Sequence, residues 1–408
     1  MSDDADLSSI IIARQPIFDR HYNTYAYELL FRNNQTSQSA DLDYYSGDIA
    51  TTRVINYSFL ELGIERVIGN HLAFVNLTRN FILSDDPIPF GGERVVLEVL
   101  ENIEVDEELI NAVKKLALSG YHIALDDFIF HESLRPLIEL ASIIKVDILS
   151  LSESELRHHV ERLREFPVKL LAEKVETKAE FELCMELGFD YFQGYFFCRP
   201  EIIKDNPIPD NKIKLLELLG KLQDPDIEFK TIEAIIRQDP GLSLKLLRLL
   251  NSAAIGFPRQ INSLREGLVI LGLKAIKTWT TLIVMSEMSS GPAELIHMTL
   301  VRAKMAEKIA AQFGCSPDSG FLLGLFSTID TILSKPMDEI IKSIPLSNES
   351  SLALISRGGI KGQLLNCVTD YCEGHWNKVA DSTGPSLEVM SSAYTEACHW
   401  ATITLDTI

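Results

Sequence analysis

The chain is short of positive charge. Among its 408 residues, 38 Lys and Arg stand against 58 Asp and Glu, a formal net charge of −20. Such a surface repels a polyphosphate backbone, which argues against nucleic acid as a partner. A small anionic ligand is still compatible with it wherever a metal ion or a local Arg or Lys reverses the field. Cysteine is sparse too: six residues, at 184, 198, 315, 367, 372 and 398, with no CxxC pair. This excludes a disulfide framework and suits reduced thiols in the cytoplasm. Cys367, Cys372 and His375 have the wrong spacing for the common zinc sites, so buried thiols are expected there. The opening MSDDADLSS lacks the basic flank and apolar stretch of a secretory leader. The best membrane candidate, 268–285, is interrupted by Lys274 and Lys277 and reads as a buried amphipathic helix, so no membrane span is expected. No internal repeat or low-complexity tract is visible. What remains is a globular composition, 46% hydrophobic and 24% charged, long enough for two domains.

The two halves have different patterning. Over 10–200, short β-rich runs alternate with helical segments. IIARQPIF and YNTYAYELLFR, separated by Asp19-Arg20-His21, read as a hairpin. A helix is expected over 46–62. Strands then follow at 71–77, 95–100, 122–128, 143–148, 169–175 and 191–197. This alternation predicts an α/β fold, a compact TIM-like (β/α)8 barrel modified by an antiparallel start, over residues 1–201. EIIKDNPIPDNK is polar and carries proline, which marks 202–212 as a linker. Beyond it the strand signal vanishes. Asp239-Pro240 reads as an N-cap and first helical position, and Gly272 and Gly314 as helix ends, so 213–408 is expected to be all-α.

The chemistry lies in polar residues set into apolar strands: YELLFR (27–32), FVNLT (74–78), LEVLE (97–101), ALDDF (124–128), IKVD (144–147), AEKVET (172–177) and FQGYFF (192–197). A carboxylate or amide in such a run is costly to bury unless something compensates it. Seven of them, each near the end of an expected strand, point to one shared site at the barrel mouth. Hard oxygen donors of this kind suit Mg²⁺ or Mn²⁺. Period two places Glu28 with Arg32, and Lys145 with Asp147, on common faces. Asp126 and Asp127 point oppositely in an ideal strand, so both can serve only if the strand ends and the backbone turns there.

With these motifs in that order, residues 10–200 resemble the EAL domain, the cyclic-di-GMP phosphodiesterase fold. Glu28-Leu29-Leu30 stands for the name motif. The resemblance implies two divalent ions held by Glu28, Asn76, Glu98, Asp126 and Asp127. It implies Lys145 as the lysine contacting the water and Glu173 as general base. Arg32, Gln15, Asp147 and Gln193 would bind nucleotide, with Glu101 and Glu176 in support. Residues 213–408 resemble the HDOD domain through IIRQDPGLSLKLLRLLNSAAIGF (235–257), INSLREGLVILGL (261–273) and FLLGLFSTID (321–330). A working HD enzyme would carry a His-Asp pair; here the run is Ser327-Thr328-Ile329-Asp330, and no His-Asp dipeptide occurs in the chain. That implies an interaction domain, relaying to a signalling protein. The resemblance also allows a homodimer.

Two departures from the EAL pattern matter. The Gly-x-Gly that usually follows Asp-Asp-Phe stands here as Ile129-Phe130-His131, and β-branched Ile does not take positive φ cheaply. AEGVET has become AEKVET, with Lys174 in place of glycine, where it either meets the ligand or reaches solvent. The retained carboxylates favour hydrolysis of cyclic-di-GMP to linear pGpG. The altered loop favours a receptor, or a scaffold without turnover. His131 is expected in solvent, and His158-His159 on a solvated helix face.

Overall fold

The computed structural model describes residues 10–33, 64–84, 88, 91–194, 210–224, 226–252, 260–261, 263–289 and 291–407. The chain forms two compact units, Met1–Cys198 and Arg199–Ile408.

The first unit is a closed eight-stranded barrel. Its strands are β1 (Ile10–Asp19), β2 (Thr24–Asn33), β3 (Leu72–Leu77), β4 (Val95–Val99), β5 (His122–Leu125), β6 (Ile143–Asp147), β7 (Lys169–Glu173) and β8 (Tyr191–Phe192). β1 pairs antiparallel with β2 on one side and β8 on the other, and every pair from β2/β3 to β7/β8 is parallel. The modified barrel with an antiparallel start is therefore observed. The expected helix at 46–62 and the part of the last strand beyond 194 lie outside the described residues. Most of the expected linker lies outside them too. Its final residues are helical, because a helix already runs over Asp210–Gln223.

Period two divides each strand between two cores. Outward residues pack against the surrounding helices in the large core, as Leu29, Val75, Leu97, Leu125, Val146 and Leu170 do. Inward residues form a second, small cluster: Ile17, Ala26, Phe74, Val96, Ala124, Ile143 and Leu171. Two residues further along the parallel strands, on the same inward face, stand Glu28, Asn76, Glu98, Asp126, Lys145 and Glu173. On antiparallel β1 the order reverses, and Gln15 precedes Ile17. The barrel thus has an apolar floor and a polar mouth. The polar layer lies at the C-terminal ends of the parallel strands, where the peptide chain turns out of the sheet.

Among its described residues, the regular elements of the second unit are all helices. Asp239 caps the helix Pro240–Leu250 through the Leu242 amide, with proline at the first position as expected. Gly272 takes φ 82° and interrupts Leu264–Met288, and Gly314 takes φ 65° at the end of the helical run from Ala293. Val269–Met288 is long and apolar enough to cross a membrane by composition, but Gly272 breaks its helical backbone. The Cys367, Cys372 and His375 side chains do not converge: the thiols face Met390 and Met305, and the imidazole faces Asp370.

Candidate active site at the barrel mouth

Lys145 is the hub of the mouth. It enters from β6, is 1% exposed, and meets four carboxylates from four other places in the barrel. Its Nζ lies 2.6 Å from Asp126, 3.0 Å from Glu98, 3.0 Å from Glu173 and 3.3 Å from Glu28. Burying an ammonium costs several kcal/mol unless partners surround it, and here they are in excess. Burial would lower the Lys145 proton affinity, but Glu173, Glu28, Glu98 and Asp126 outweigh it and hold the ammonium well above its usual range.

One ammonium cannot balance four carboxylates, and the electrostatics divide them. For Glu28, burial pushes the carboxyl up. The Lys145 ammonium, with hydrogen bonds from Gln193 Nε2 (2.8 Å) and Asn76 Nδ2 (3.1 Å), reverses that and brings it below its usual range. Glu98 is held well above the carboxylate range, first by burial and then by Glu28. Glu173 is raised in the same way, by burial and then by Asp126 and Glu28, against the pull of Lys145. Asp126 is raised chiefly by burial. Without further positive charge, Glu98 and Glu173 keep protons that ordinary glutamates release.

The remaining oxygen atoms identify what would fit. Because ionised Glu28 only accepts, Asn76 and Gln193 turn their NH₂ groups toward it, which leaves Asn76 Oδ1 and Gln193 Oε1 buried with no hydrogen bond. Both Glu98 oxygens, Glu173 Oε2 and Asp127 Oδ1 are also buried without one. Glu98 Oε1 lies near Lys145 Nζ, but not in hydrogen-bonding geometry. Unpaired buried acceptors of this number are costly, and all are hard oxygen donors, the set that divalent Mg²⁺ or Mn²⁺ prefers. Among the described residues, no three acidic, His or Cys side chains already stand in ligating geometry. The carboxylates are spaced for the ammonium, so they would have to shift from it to hold a divalent ion.

The Asp pair behaves as the strand-end argument requires. β5 stops at Leu125, and Asp127 takes φ 42°. The turn is held by the Asp126 amide donating to Val99 O and the Phe128 amide donating to Lys145 O. The loop does follow a path without glycine. Asp127, not Ile129, has the positive φ, and Ile129 is exposed. Phe128 is buried and Phe130 packs on Phe166, with ring centroids 6.1 Å apart. His131 is exposed and contacts Ser133 Oγ, away from the cluster.

His159 corrects the expectation of a solvated pair. His158 is exposed, but His159 is buried and braces this loop. The Phe130 amide donates to His159 Nδ1 (3.5 Å), so Nε2 carries the proton and donates to Phe128 O (3.0 Å). Burial lowers its proton affinity, which keeps this neutral tautomer. The signal was in the sequence: Leu156, His159, Val160 and Leu163 share one face at helical spacing.

Lys174 takes the left-handed conformation, φ 59°, which explains why glycine suits this position. It neither leaves the site nor stays unpaired. Its ammonium hydrogen-bonds Asp147 and lies 3.6 Å from Asp127 Oδ2. Asp147 spends its other oxygen on the Leu149 amide. Gln15 is half-buried and directly opposite Glu28 in the β1/β2 register, on the same face. Arg32 lies on β2 opposite Ile11; its side chain is outside the described residues. Glu101 is exposed, and burial together with Asp127 and Asp126 raises its carboxyl. The Glu176 side chain is exposed after β7 and is not brought into the cluster. β8 closes on β7 through the Gln193 amide to Ala172 O and the Val175 amide to Gln193 O. Gly194 is required there, because any Cβ would overlap the Val175 backbone.

The EAL domain family model matches residues 74–200, and the HDOD domain model matches 208–345. Two curated proteins align over nearly their whole lengths. The "Cyclic di-GMP phosphodiesterase CdgJ" of Vibrio cholerae is 32% identical over 96% of this chain and 92% of its own. The "Uncharacterized protein YuxH" of Bacillus subtilis is 33% identical over 96% of this chain and 98% of its own. The chain belongs to the EAL family, with an HDOD domain after the barrel. Solved EAL structures match about half of this chain at lower similarity. One is the Klebsiella pneumoniae BlrP1 manganese/cyclic-di-GMP complex, at 22% identity and TM-score 0.38 over 47% of this chain and 56% of that one.

Proposed function

We propose that the barrel binds cyclic-di-GMP and hydrolyses one of its phosphodiester bonds to give the linear dinucleotide. The observation that carries this is the convergence of unpaired buried oxygens from Asn76, Glu98, Asp127, Glu173 and Gln193 around one charged cluster. Glu28, Asn76, Glu98, Asp126 and Asp127 would hold the divalent ions. Bound there, such ions polarise a phosphodiester oxygen and make water a better nucleophile at neutral pH. Lys145 orients the attacking water and limits the negative charge of the cage. Glu173 accepts the proton from that water; each positive charge added near it brings its carboxyl down toward a useful range. Gln15, Asp147, Gln193 and Arg32 position the nucleotide. The relative named a cyclic-di-GMP phosphodiesterase supports this reading through its near full-length alignment.

A receptor that binds without cleavage is the second reading. It is favoured by the Lys174 ammonium, which occupies space between Asp127 and Asp147. The test is incubation of the purified full chain with cyclic-di-GMP in Mn²⁺ or Mg²⁺. Metal-dependent linear product supports the enzyme. Saturable nucleotide binding with no product replaces it with the receptor.

Lys174→Gly tests whether that ammonium obstructs the site. Removing one cation near Asp127 tightens Mn²⁺ binding on the order of tenfold, read by titration calorimetry. The half-exposed ion pair is worth under about 1 kcal/mol, and relief of the left-handed backbone offsets its loss, so the melting temperature changes little. Unchanged Mn²⁺ affinity would show that Lys174 does not gate the site.

The HDOD half relays the nucleotide state to a protein partner. Supporting this, Leu352, Ile355 and Ile360 are exposed on the successive helices Asn348–Ser356 and Gly359–Cys372. Asp330 lies at the start of Ile329–Leu333 with Thr328, not histidine, at the N-cap position, so metal-dependent HD chemistry is not expected there.

A further inference from the structure

The helical unit contains a cavity of about 320 Å³ lined by three lysines, in a chain of strongly negative net charge. Lys274 and Lys277 come from Leu264–Met288, and Lys361 from Gly359–Cys372. None of the three is committed to a buried carboxylate. Lys274 pairs with Asp318 at 2.9 Å, where both side chains are mostly exposed. Lys361 contacts Ser350 Oγ at 3.2 Å and the exposed Glu349 at 3.2 Å. Lys277 donates to a backbone carbonyl, that of Asp224, at 2.8 Å. Burial lowers the proton affinity of Lys277, against the pull of Asp224. An anion beside it would restore what desolvation removes.

Two helices of nine and ten residues also begin at this cavity, Asn348–Ser356 and Pro317–Phe326, with the lining residues Ser347 and Ser316 as their N-caps. Their dipoles add to the field of the lysines. The lining also includes the apolar side chains of Leu322, Phe326 and Leu354. A lining that combines lysines with apolar side chains suits a molecule with an anionic group and a flat, weakly polar body. The volume is at the lower end of small-molecule sites, enough for one such molecule and too small for a peptide segment.

We propose that this cavity binds a small phosphorylated molecule carrying a planar ring, of nucleoside monophosphate size. The phosphate would lie among Lys277, Lys361 and Lys274, displacing the exposed partners of the last two, and the ring against Phe326 and Leu354.

The chain offers a reporter that separates this site from the barrel. All three tryptophans, 279, 376 and 400, are in the helical unit, and Trp279 follows the lining residue Thr278. GMP titrated into the full chain, with tryptophan excited at 295 nm, is expected to give a saturable change in emission. Guanosine lacks the phosphate and is expected to bind about tenfold more weakly or worse. The Lys277→Gln/Lys361→Gln protein should lose a similar factor for GMP while keeping its melting temperature. If the double variant folds poorly, Lys277→Gln alone should still weaken GMP several-fold. No saturable change with GMP in the wild-type chain overturns the proposal, as does GMP binding unaffected by the lysine variants. Inorganic phosphate binding as tightly as GMP overturns the ring-carrying class.

Discussion

Glu173→Gln lowers turnover of cyclic-di-GMP by about 10² to 10⁴, the usual contribution of a positioned general base. The side chain is almost isosteric, so its packing at the end of β7 is kept. The stability change is small for a reason specific to this cage. Burial and the neighbouring carboxylates hold Glu173 well above its ordinary range, so in metal-free protein it keeps its proton to higher pH than an ordinary glutamate does. Glutamine resembles that protonated form. A melting temperature within a few degrees of wild type, measured in chelator, is therefore expected beside the large loss of turnover. A folded variant retaining turnover within tenfold would remove Glu173 from the reaction.

Lys145→Met removes the only cation in contact with Glu28, Glu98, Asp126 and Glu173 among the described residues. Breaking a buried ion cluster from one side typically costs about 3–5 kcal/mol. The folded-state proton affinity of Lys145 is raised, so its contribution is complete below the ordinary lysine range and disappears only as pH rises through the folded value. The carboxyl groups add a slope of their own. Glu98 and Glu173 are raised, so the folded, metal-free protein binds protons that the unfolded chain releases. Its stability therefore falls as pH rises above the ordinary carboxylate range toward the raised values. Without Lys145 the remaining carboxylates lose their compensation, and the fall becomes steeper. Urea midpoints in chelator at pH 5, 6.5 and 8 check both statements. A variant as stable as wild type at pH 8 would show that the ammonium does not hold the cage together.

Much of the barrel was legible because its interior obeys a simple rule. Ala26 and Glu28, Phe74 and Asn76, Val96 and Glu98, Ala124 and Asp126, Ile143 and Lys145, and Leu171 and Glu173 each repeat an apolar residue followed two positions later by a polar one. Period two needs no tertiary information: whichever way the strand faces, both residues face it together. The antiparallel start was legible too, from a short hairpin connection that a parallel pair could not use. The helical half announced itself through Asp239-Pro240 and through the loss of strand patterning.

Other features depended on partners far apart in sequence. Spacing could say that Asp126 and Asp127 needed a turn; only the structure shows where it falls, with φ 42° at Asp127 and no glycine in the loop. His159 looked like part of a polar pair until its helix packed it under the loop, where two backbone groups needed a partner. Lys174 looked like an intruder with two open fates, and folding gave it a third, between Asp127 and Asp147. The charge state of the cage was likewise undecidable in one dimension. The sequence by itself determined that Glu28, Asn76, Glu98, Lys145 and Glu173 face the same way as the apolar residues two positions before them, because strand alternation is local. The tertiary structure decided which of them share Lys145, which keep protons and which oxygens stay unpaired, because those depend on through-space distances and on burial.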